Sequence, residues 1–314
     1  MNIVLQYRAS PGFQAALAAA FGGMGRLDVV DETDEAAFAE LMREADVLLH
    51  VLKPVTAQVI AAAPRLKLVQ KLGVGVNTID LEAARARGIA VCNMPGTNSQ
   101  AVAEMTLMLM LATLRRAAYF DRLTRAGEGW RPDLALVDGS GEIRGRTVGF
   151  LGFGGGPRRL AAALEALGAR IVYNARAPKP DLAYPYLSLP ELLAQSDILT
   201  LHAPATPQTR GLIDAGALAK MRRGSFLVNT ARGELVDEAA LTAAIQSGHI
   251  AGAGLDVFAA EPAGADNPLF ALPQVVVAPH MAWLTPETLD RSIAVAKANC
   301  QRLAAGEALV HQVV

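Results

Sequence analysis

Apolar and polar positions along the chain fall into two alternating patterns. Short apolar runs at 2–6, 47–51, 66–71 and 89–93 are bounded by polar or turn residues, the length of a buried strand and not of a helix. Between them, 14–21, 57–63 and 81–87 carry apolar residues at helical spacing. The rhythm resumes after residue 144, predicting strands at 147–151, 170–173, 198–201, 225–229, 253–256 and 275–278 and helices at 215–221, 238–247 and 287–305. Runs that are apolar throughout belong to parallel strands covered on both faces by helices. The pattern therefore predicts an α/β fold with two parallel-sheet halves. A long apolar helix over 99–118 stands between them, followed by a polar, irregular stretch at 127–145.

One unit organises the second half. The strand from Thr147 to Leu151 runs into Gly152, Phe153 and Gly154, and a helix follows with Leu160, Leu164 and Leu167 on one face. A glycine pair alone is weak evidence. Between a strand and a helix it gains force, because the helix N-terminus offers its unpaired N–H groups to a pyrophosphate. Gly152, Gly154, Gly155 and Gly156 are accordingly assigned to a dinucleotide cofactor. The position of the third fingerprint glycine holds Pro157, which the first turn of a helix tolerates. The pyrophosphate is then expected to rest on the N–H groups of Gly155 and Gly156, with Arg158 or Arg159 adding charge. About 20 residues beyond the glycines an NAD site carries an acid for the adenosine ribose. Ala175 stands there, followed by Arg176 and Lys179. With no acid to repel a 2′-phosphate and a guanidinium able to fork onto it, NADP is expected over NAD, Asn174 offering a ribose contact as the NAD-compatible alternative. Two other glycine pairs differ. Gly23 and Gly25 follow a helix and read as a turn. Gly73 and Gly75 follow a strand, in a loop whose N–H groups suit a small anion.

Composition narrows the class. The 314 residues, 52% hydrophobic and 19% charged, suit two globular domains. A net charge of −1 gives no basic field for nucleic acid. Cys92 and Cys300 fit neither metal-ligand spacing nor a disulfide framework, so no metal is expected and a reducing, cytoplasmic setting follows. No signal-peptide pattern opens the chain. The apolar stretch 101–118 contains Glu104, Arg115 and Arg116, and its uncharged part is too short to span a bilayer.

In a doubly wound sheet, ligands gather outside the carboxyl ends of the strands. Four stretches stand at such ends: 229–233 (NTARG), 254–257 (GLDV), 261–262 (EP) and 278–280 (APH). An arginine suits a carboxylate, and a histidine beside a glutamate suits proton transfer at neutral pH. By residue type alone Arg232 is equally a surface ion pair, and His50, His202, His249 and His311 are as eligible as His280.

Seven stretches in order raise these residues above the rest: KLGVGVNTIDLEAA (71–84), NMPGTNSQAVAE (93–104), TVGFLGFG (147–154), LHAPATPQTRGLI (201–213), VNTARGELVDEAAL (228–241), GLDVFAAEP (254–262) and VAPHMAWLT (277–285). With them the chain resembles the D-isomer-specific 2-hydroxyacid dehydrogenase family over nearly its whole length. The resemblance implies two doubly wound parallel-sheet domains, Rossmann- or flavodoxin-like, with a cleft between them. The substrate domain is discontinuous, 1–97 plus 286–314, and 98–285 form the nicotinamide dinucleotide domain. It implies that His280 exchanges the proton, Glu261 holds His280, and Arg232 binds the substrate carboxylate and carbonyl. Backbone at Val74, Gly75 and Val76 holds the carboxylate. Thr230 and Ala231 line the cofactor and Asp256 contacts its carboxamide, while His202, Ala203, Pro204 and Thr209 lie on its phosphate and ribose side. A homodimer through the helix near 101–118 is implied, an intramolecular core helix being the alternative.

For the substrate, Trp283 resembles glyoxylate- and hydroxypyruvate-reducing members, where an indole beside the histidine narrows the site toward small 2-oxo acids; packing between domains is its alternative. Leu52 is assigned to the substrate and Lys53 to solvent. The absence of a further domain after residue 314 weighs against an elaborately regulated phosphoglycerate dehydrogenase. Two rival readings are a formate- or phosphite-type dehydrogenase and a nucleotide-sensing binding protein on the same scaffold.

Overall fold

The structure is a computed structural model that describes residues 1–314. The chain divides into two compact units, residues 1–98 with 284–314, and residues 99–283.

In the first unit β1 (Asn2–Gln6), β2 (Arg26–Val30), β3 (Val47–His50), β4 (Leu68–Lys71) and β5 (Ala90–Cys92) form a parallel sheet in the order β2-β1-β3-β4-β5. β3 and β4 are buried at every position, which explains their uninterrupted apolar runs. The connecting helices α1 (Pro11–Phe21), α2 (Glu35–Met42), α3 (Ala57–Ala61) and α4 (Leu81–Ala86) start at Ser10, Asp34, Thr56 and Asp80. Each of those side chains accepts a backbone N–H of the first turn, satisfying a donor the helix leaves unpaired. The last helix, α12 (Pro286–Ala305), belongs to this unit: buried Asn299 donates to Gln70 Oε1 at 2.7 Å, and Val313 N–H donates to Val91 O at 2.7 Å beside β5.

The second unit begins with α5 (Ser99–Leu114), α6 (Ala117–Arg125) and α7 (Leu134–Asp138). Then β6 (Thr147–Leu151), α8 (Gly155–Ala166), β7 (Arg170–Asn174), α9 (Leu189–Gln195), β8 (Ile198–Leu201), α10 (Ala215–Lys220), β9 (Ser225–Asn229), α11 (Glu238–Gln246), β10 (Ile250–Leu255) and β11 (Val275–Val277) wind a parallel sheet in the order β11-β10-β9-β8-β6-β7. The chain moves one way from β6 to β7 and then crosses back to β8, so the topological switch lies between β6 and β8. Each face of the sheet carries its own apolar cluster, one built on Leu199, Leu227 and Leu255, the other on Val148, Phe150 and Val228. Both units have the parallel-sheet α/β architecture that the apolar pattern predicts, doubly wound as the family resemblance implies. No helix is long and apolar enough to cross a membrane.

Some elements depart from expectation. The helix expected over 99–118 breaks at Arg116, whose φ of 53° is left-handed, and the chain restarts as α6. The stretch 127–145 holds a short helix, α7. β2, α2 and α9 were not anticipated: β2 has one buried position, Val30, whereas α2 and α9 do carry a helical signal, Phe38, Leu41 and Met42 behind the Asp34 cap and Leu189, Leu192 and Leu193 behind the Ser188–Glu191 capping box.

Candidate active site

The turn after β6 is built by backbone contact. Gly152 has φ 90°, and a Cβ there would stand 2.8 Å from His202 C and O and from Ala203 N. Only a glycine lets the loops that leave β6 and β8 touch at the switch point. Gly154 is the N-cap of α8, with no side chain bonded to the helix end. The first helical hydrogen bond runs from Arg158 N to Gly154 O at 3.2 Å. Gly155 and Gly156 therefore keep N–H groups that the helix does not use, and Pro157 occupies a position whose missing N–H costs the helix nothing. Arg158 Nη2 pairs with Asp181 Oδ2 at 2.6 Å, whereas Arg159 Nη1 donates to the neutral Gln100 Oε1 at 3.2 Å and keeps its charge near this turn.

Beyond β7, Arg176 is exposed and makes no ion pair, and Lys179 N–H donates to Tyr173 Oη at 2.8 Å. Ala175 lies alongside, its carbonyl accepting from Tyr186 Oη at 3.3 Å. Asn174 Nδ2 donates to Leu187 O at 2.7 Å. After β8, Thr209 Oγ1 ties its turn together, donating to Pro204 O at 2.6 Å and accepting Thr206 N–H at 2.8 Å. His202 stacks on Phe150 with ring centroids 5.6 Å apart, and burial pushes its pKa down to about 3, so it is neutral at physiological pH.

Three loops at the carboxyl ends of β9, β10 and β11 carry Arg232, Glu261 and His280. His280 Nδ1 lies 2.6 Å from Glu261 Oε2, and Glu261 Oε1 accepts Phe258 N–H at 2.9 Å. Burial opposes the charge on Glu261, but the His280 hydrogen bond and charge, the Phe258 N–H and Arg232 outweigh it and hold the carboxyl below its usual range. With Nδ1 committed to the carboxylate, Nε2 is the nitrogen through which His280 meets a ligand. Arg232 is held from behind: buried Asn229 donates to Arg232 O at 2.8 Å and accepts Ala231 N–H at 3.0 Å, and Arg232 Nη1 donates to Ala231 O at 2.6 Å. Burial lowers the arginine's pKa, yet a guanidinium stays charged. Thr230 shares a 2.8 Å hydroxyl hydrogen bond with Thr106 of α5.

His280 has a left-handed φ of 53°, and Asp256 holds it there. His280 N–H donates to Asp256 O at 2.7 Å, while Met281 N–H and Ala282 N–H each donate at 2.9 Å to one carboxylate oxygen of Asp256. Trp283 is buried, and its indole N–H donates to His280 O at 3.2 Å, so it backs the histidine turn. In the first unit, Leu52 follows β3, and Val74, Gly75 and Val76 follow β4 in a loop where Asn93 Nδ2 donates to Val74 O at 2.9 Å. Lys53 pairs with Glu35 at 2.8 Å.

Residues 107–282 match the family described as D-isomer specific 2-hydroxyacid dehydrogenase, NAD binding domain. The chain is 41% identical to the glyoxylate reductase of Aeropyrum pernix over 276 residues, 84% of this chain and 82% of that one. It belongs to the D-isomer-specific 2-hydroxyacid dehydrogenases. It is also 43% identical to the D-3-phosphoglycerate dehydrogenase of Mycobacterium leprae over 279 residues, 87% of this chain but 52% of that one, so it spans about half the length of that relative. The TT0316 protein of Thermus thermophilus has the same fold, with a TM-score of 0.91 at 38% identity and all of both chains covered.

The family binds a nicotinamide dinucleotide, and these residues fit one. The left-handed Gly152, the uncapped helix start and the Gly155 and Gly156 N–H groups are what a pyrophosphate requires. Replacing Pro157 by Gly is expected to lower stability by about 0.4–1 kcal/mol through the unfolded chain, with cofactor affinity nearly unchanged. A calorimetric titration showing more than about tenfold weaker binding, ~1.4 kcal/mol, would make the proline part of the phosphate site.

Sequence reasoning missed Gly233 and the loop-holding bonds of Asp256 and Asn229. A Cβ on Gly233 would stand 1.8 Å from Phe258 C, so this glycine alone allows the Arg232 loop to lie on the loop that leads to Glu261. The NTARG stretch was visible in the family's motif, but the backbone it touches is far along the chain.

Proposed function

We propose that the protein reduces a small 2-oxo acid of the glyoxylate or hydroxypyruvate kind to the D-2-hydroxy acid, with NADPH preferred over NADH. The 2.6 Å contact between His280 Nδ1 and Glu261 Oε2 carries this reading, because it orients an imidazole to pass a proton from Nε2 while Arg232 stands at the next loop. When bound, the nicotinamide supplies the hydride. His280 then gives the carbonyl oxygen its proton and regains one in the reverse direction. Glu261 keeps the ring oriented. Arg232 binds the substrate carboxylate and steadies charge that grows on the carbonyl oxygen. The backbone at 74–76 is the second anchor of the carboxylate, with Leu52 beside it. Trp283 narrows the site through the histidine turn it supports. Thr230 and Ala231 line the cofactor, whereas Asp256, expected at the nicotinamide carboxamide, is fully buried with both carboxylate oxygens taken by the Met281 and Ala282 N–H groups and acts through the histidine turn.

The cofactor preference rests on Ala175, which stands where an acid would repel a 2′-phosphate, and on the exposed, unpaired Arg176 beside it. A homodimer through α5 accords with Met108 and Leu111, exposed on that helix at 45% and 39%, and a cytoplasmic setting accords with two unpaired, buried cysteines.

The test is a panel of glyoxylate, hydroxypyruvate, pyruvate, bulkier 2-oxo acids and formate, each with NADH and NADPH, with product configuration determined. Turnover confined to formate, or none, refutes the activity. A higher kcat/KM with NADH refutes the preference alone. The double substitution Ala175→Asp with Arg176→Ala is expected to invert that preference.

A further inference from the structure

We propose that Glu238 is a positioning residue for proton transfer, holding the loop that brings Glu261 to His280. The proposal rests on the reading of His280 and Glu261 as the pair that handles the proton. Glu238 is the first residue of α11, where a carboxylate ordinarily faces water and favours the helix dipole. The cap itself is Asp237, whose Oδ1 accepts Ala240 N–H at 3.0 Å, so capping does not use the Glu238 oxygens. Both reach across to another loop instead. Glu238 Oε1 accepts Ala259 N–H at 2.6 Å, and Oε2 accepts the side-chain amide of Asn267 at 2.9 Å.

That loop needs an outside hold. After β10 the chain stays buried through Phe258, and it is buried again at Leu269. Between them residues 259–262, Glu261 among them, are exposed, and so are 264–266. Packing therefore does little to fix the backbone from which Glu261 reaches His280 Nδ1. The Glu238 carboxylate ties this span at both ends. Ala259 stands shortly before Glu261, and Asn267 closes the loop, its Oδ1 accepting Leu269 N–H at 3.0 Å. Hydrogen bonds to an ionised acceptor are stronger than neutral ones, which suits a tether in partly exposed surroundings. Phe258, next to the first tie, is fixed as well. Its N–H donates to Glu261 Oε1 at 2.9 Å, and its carbonyl carbon lies 1.8 Å from where a Cβ of Gly233 would stand. One short segment, 232–238, thus carries Arg232, the glycine that admits the neighbouring loop and the carboxylate that fastens it. Misplacing a reacting group by about 1 Å costs on the order of 10² in rate, so a tether that sets Glu261 has a kinetic effect without touching substrate.

The test is a double-mutant cycle in steady-state kinetics, with the best-reduced 2-oxo acid of the panel. Glu238→Gln keeps an acceptor for Ala259 but turns an NH₂ toward the Asn267 amide, donor against donor. It should lower kcat about tenfold, with KM and the cofactor dissociation constant within about twofold of the parent, because Arg232 and the pyrophosphate turn are untouched. In a Glu261→Ala background the same change should cost less than about twofold, since no carboxylate is left to place. Asn267→Asp keeps the oxygen that caps Leu269 and sets a like charge against Glu238. It should give the same pattern, and it serves if the glutamine variant does not fold. Parent kcat in Glu238→Gln overturns the proposal. So does a loss of equal size in both backgrounds, or a matching rise in KM, either of which marks a general loosening. A Glu261→Ala enzyme at the parent rate is a different failure, removing the proton-handling pair and the proposal with it.

Discussion

Removing the imidazole of His280 should lower kcat for 2-oxo acid reduction by about 10²–10⁴, the usual contribution of a positioned general acid, with the cofactor dissociation constant little changed. Asparagine is the better replacement than alanine, because position 280 has a φ of 53° and asparagine tolerates the left-handed region. The surrounding turn should persist in His280→Asn. The bonds that shape it run through backbone atoms of residues 280–282 to Asp256, and from the Trp283 indole to the 280 carbonyl. Glu261→Gln should act through the histidine: the oriented ring loses its charged partner, so kcat should fall while the cofactor dissociation constant stays. Arg232→Ala should differ from both, raising KM and lowering kcat together, since carboxylate and carbonyl oxygen lose the same partner. Steady-state kinetics on the three variants separate these roles. A His280→Asn enzyme that turns over at the parent rate would falsify the assignment.

What the sequence reveals here depends on how local each cause is. β6, β8 and β9 are buried at every position, so their apolar runs match the observed strands residue for residue. β2 is an edge strand with partly buried side chains, and RLDVV carries no such signal. The break at Arg116 was equally hidden: helical spacing continues through 115–118, and the left-handed turn there is set by the packing of the arginine under the 139–141 loop. The histidine, glutamate and arginine were legible because each follows a strand end in a recognisable motif. That Asp256 holds the histidine turn was not, since its role consists of bonds to residues 25 and 26 positions later. Gly233 shows the same limit. Its necessity lies in a 1.8 Å clash with Phe258 that no pattern within NTARG contains.

Acid should destabilise the protein well above the range where carboxylates titrate. His50 is 4% exposed at the end of β3, and burial, then the charge of Lys71, pushes its pKa down to about 3. Its Nε2–H donates to Lys53 O at 2.8 Å, and Nδ1 has no partner, so a second proton would be placed with no acceptor beside a buried cation. A depressed histidine contributes stability that is whole above its unfolded pKa, ~6.5, and is lost as pH falls toward the folded value. In that window the unfolded chain binds a proton the native state refuses, so each such histidine costs about 1.4 kcal/mol per pH unit. His202, also pushed down to about 3, contributes the same slope in the second unit. Between pH 6.5 and 5 the loss in each unit is then ~2 kcal/mol, a large part of the usual margin of ~5–15 kcal/mol. His50→Gln keeps a donor for the Lys53 carbonyl and has nothing to titrate near neutrality, so it should flatten the dependence of the first unit alone. Urea unfolding of the cofactor-free protein at half-unit pH steps measures both slopes, and midpoints that hold constant from pH 7 to pH 5 would show that neither histidine is kept neutral by the fold.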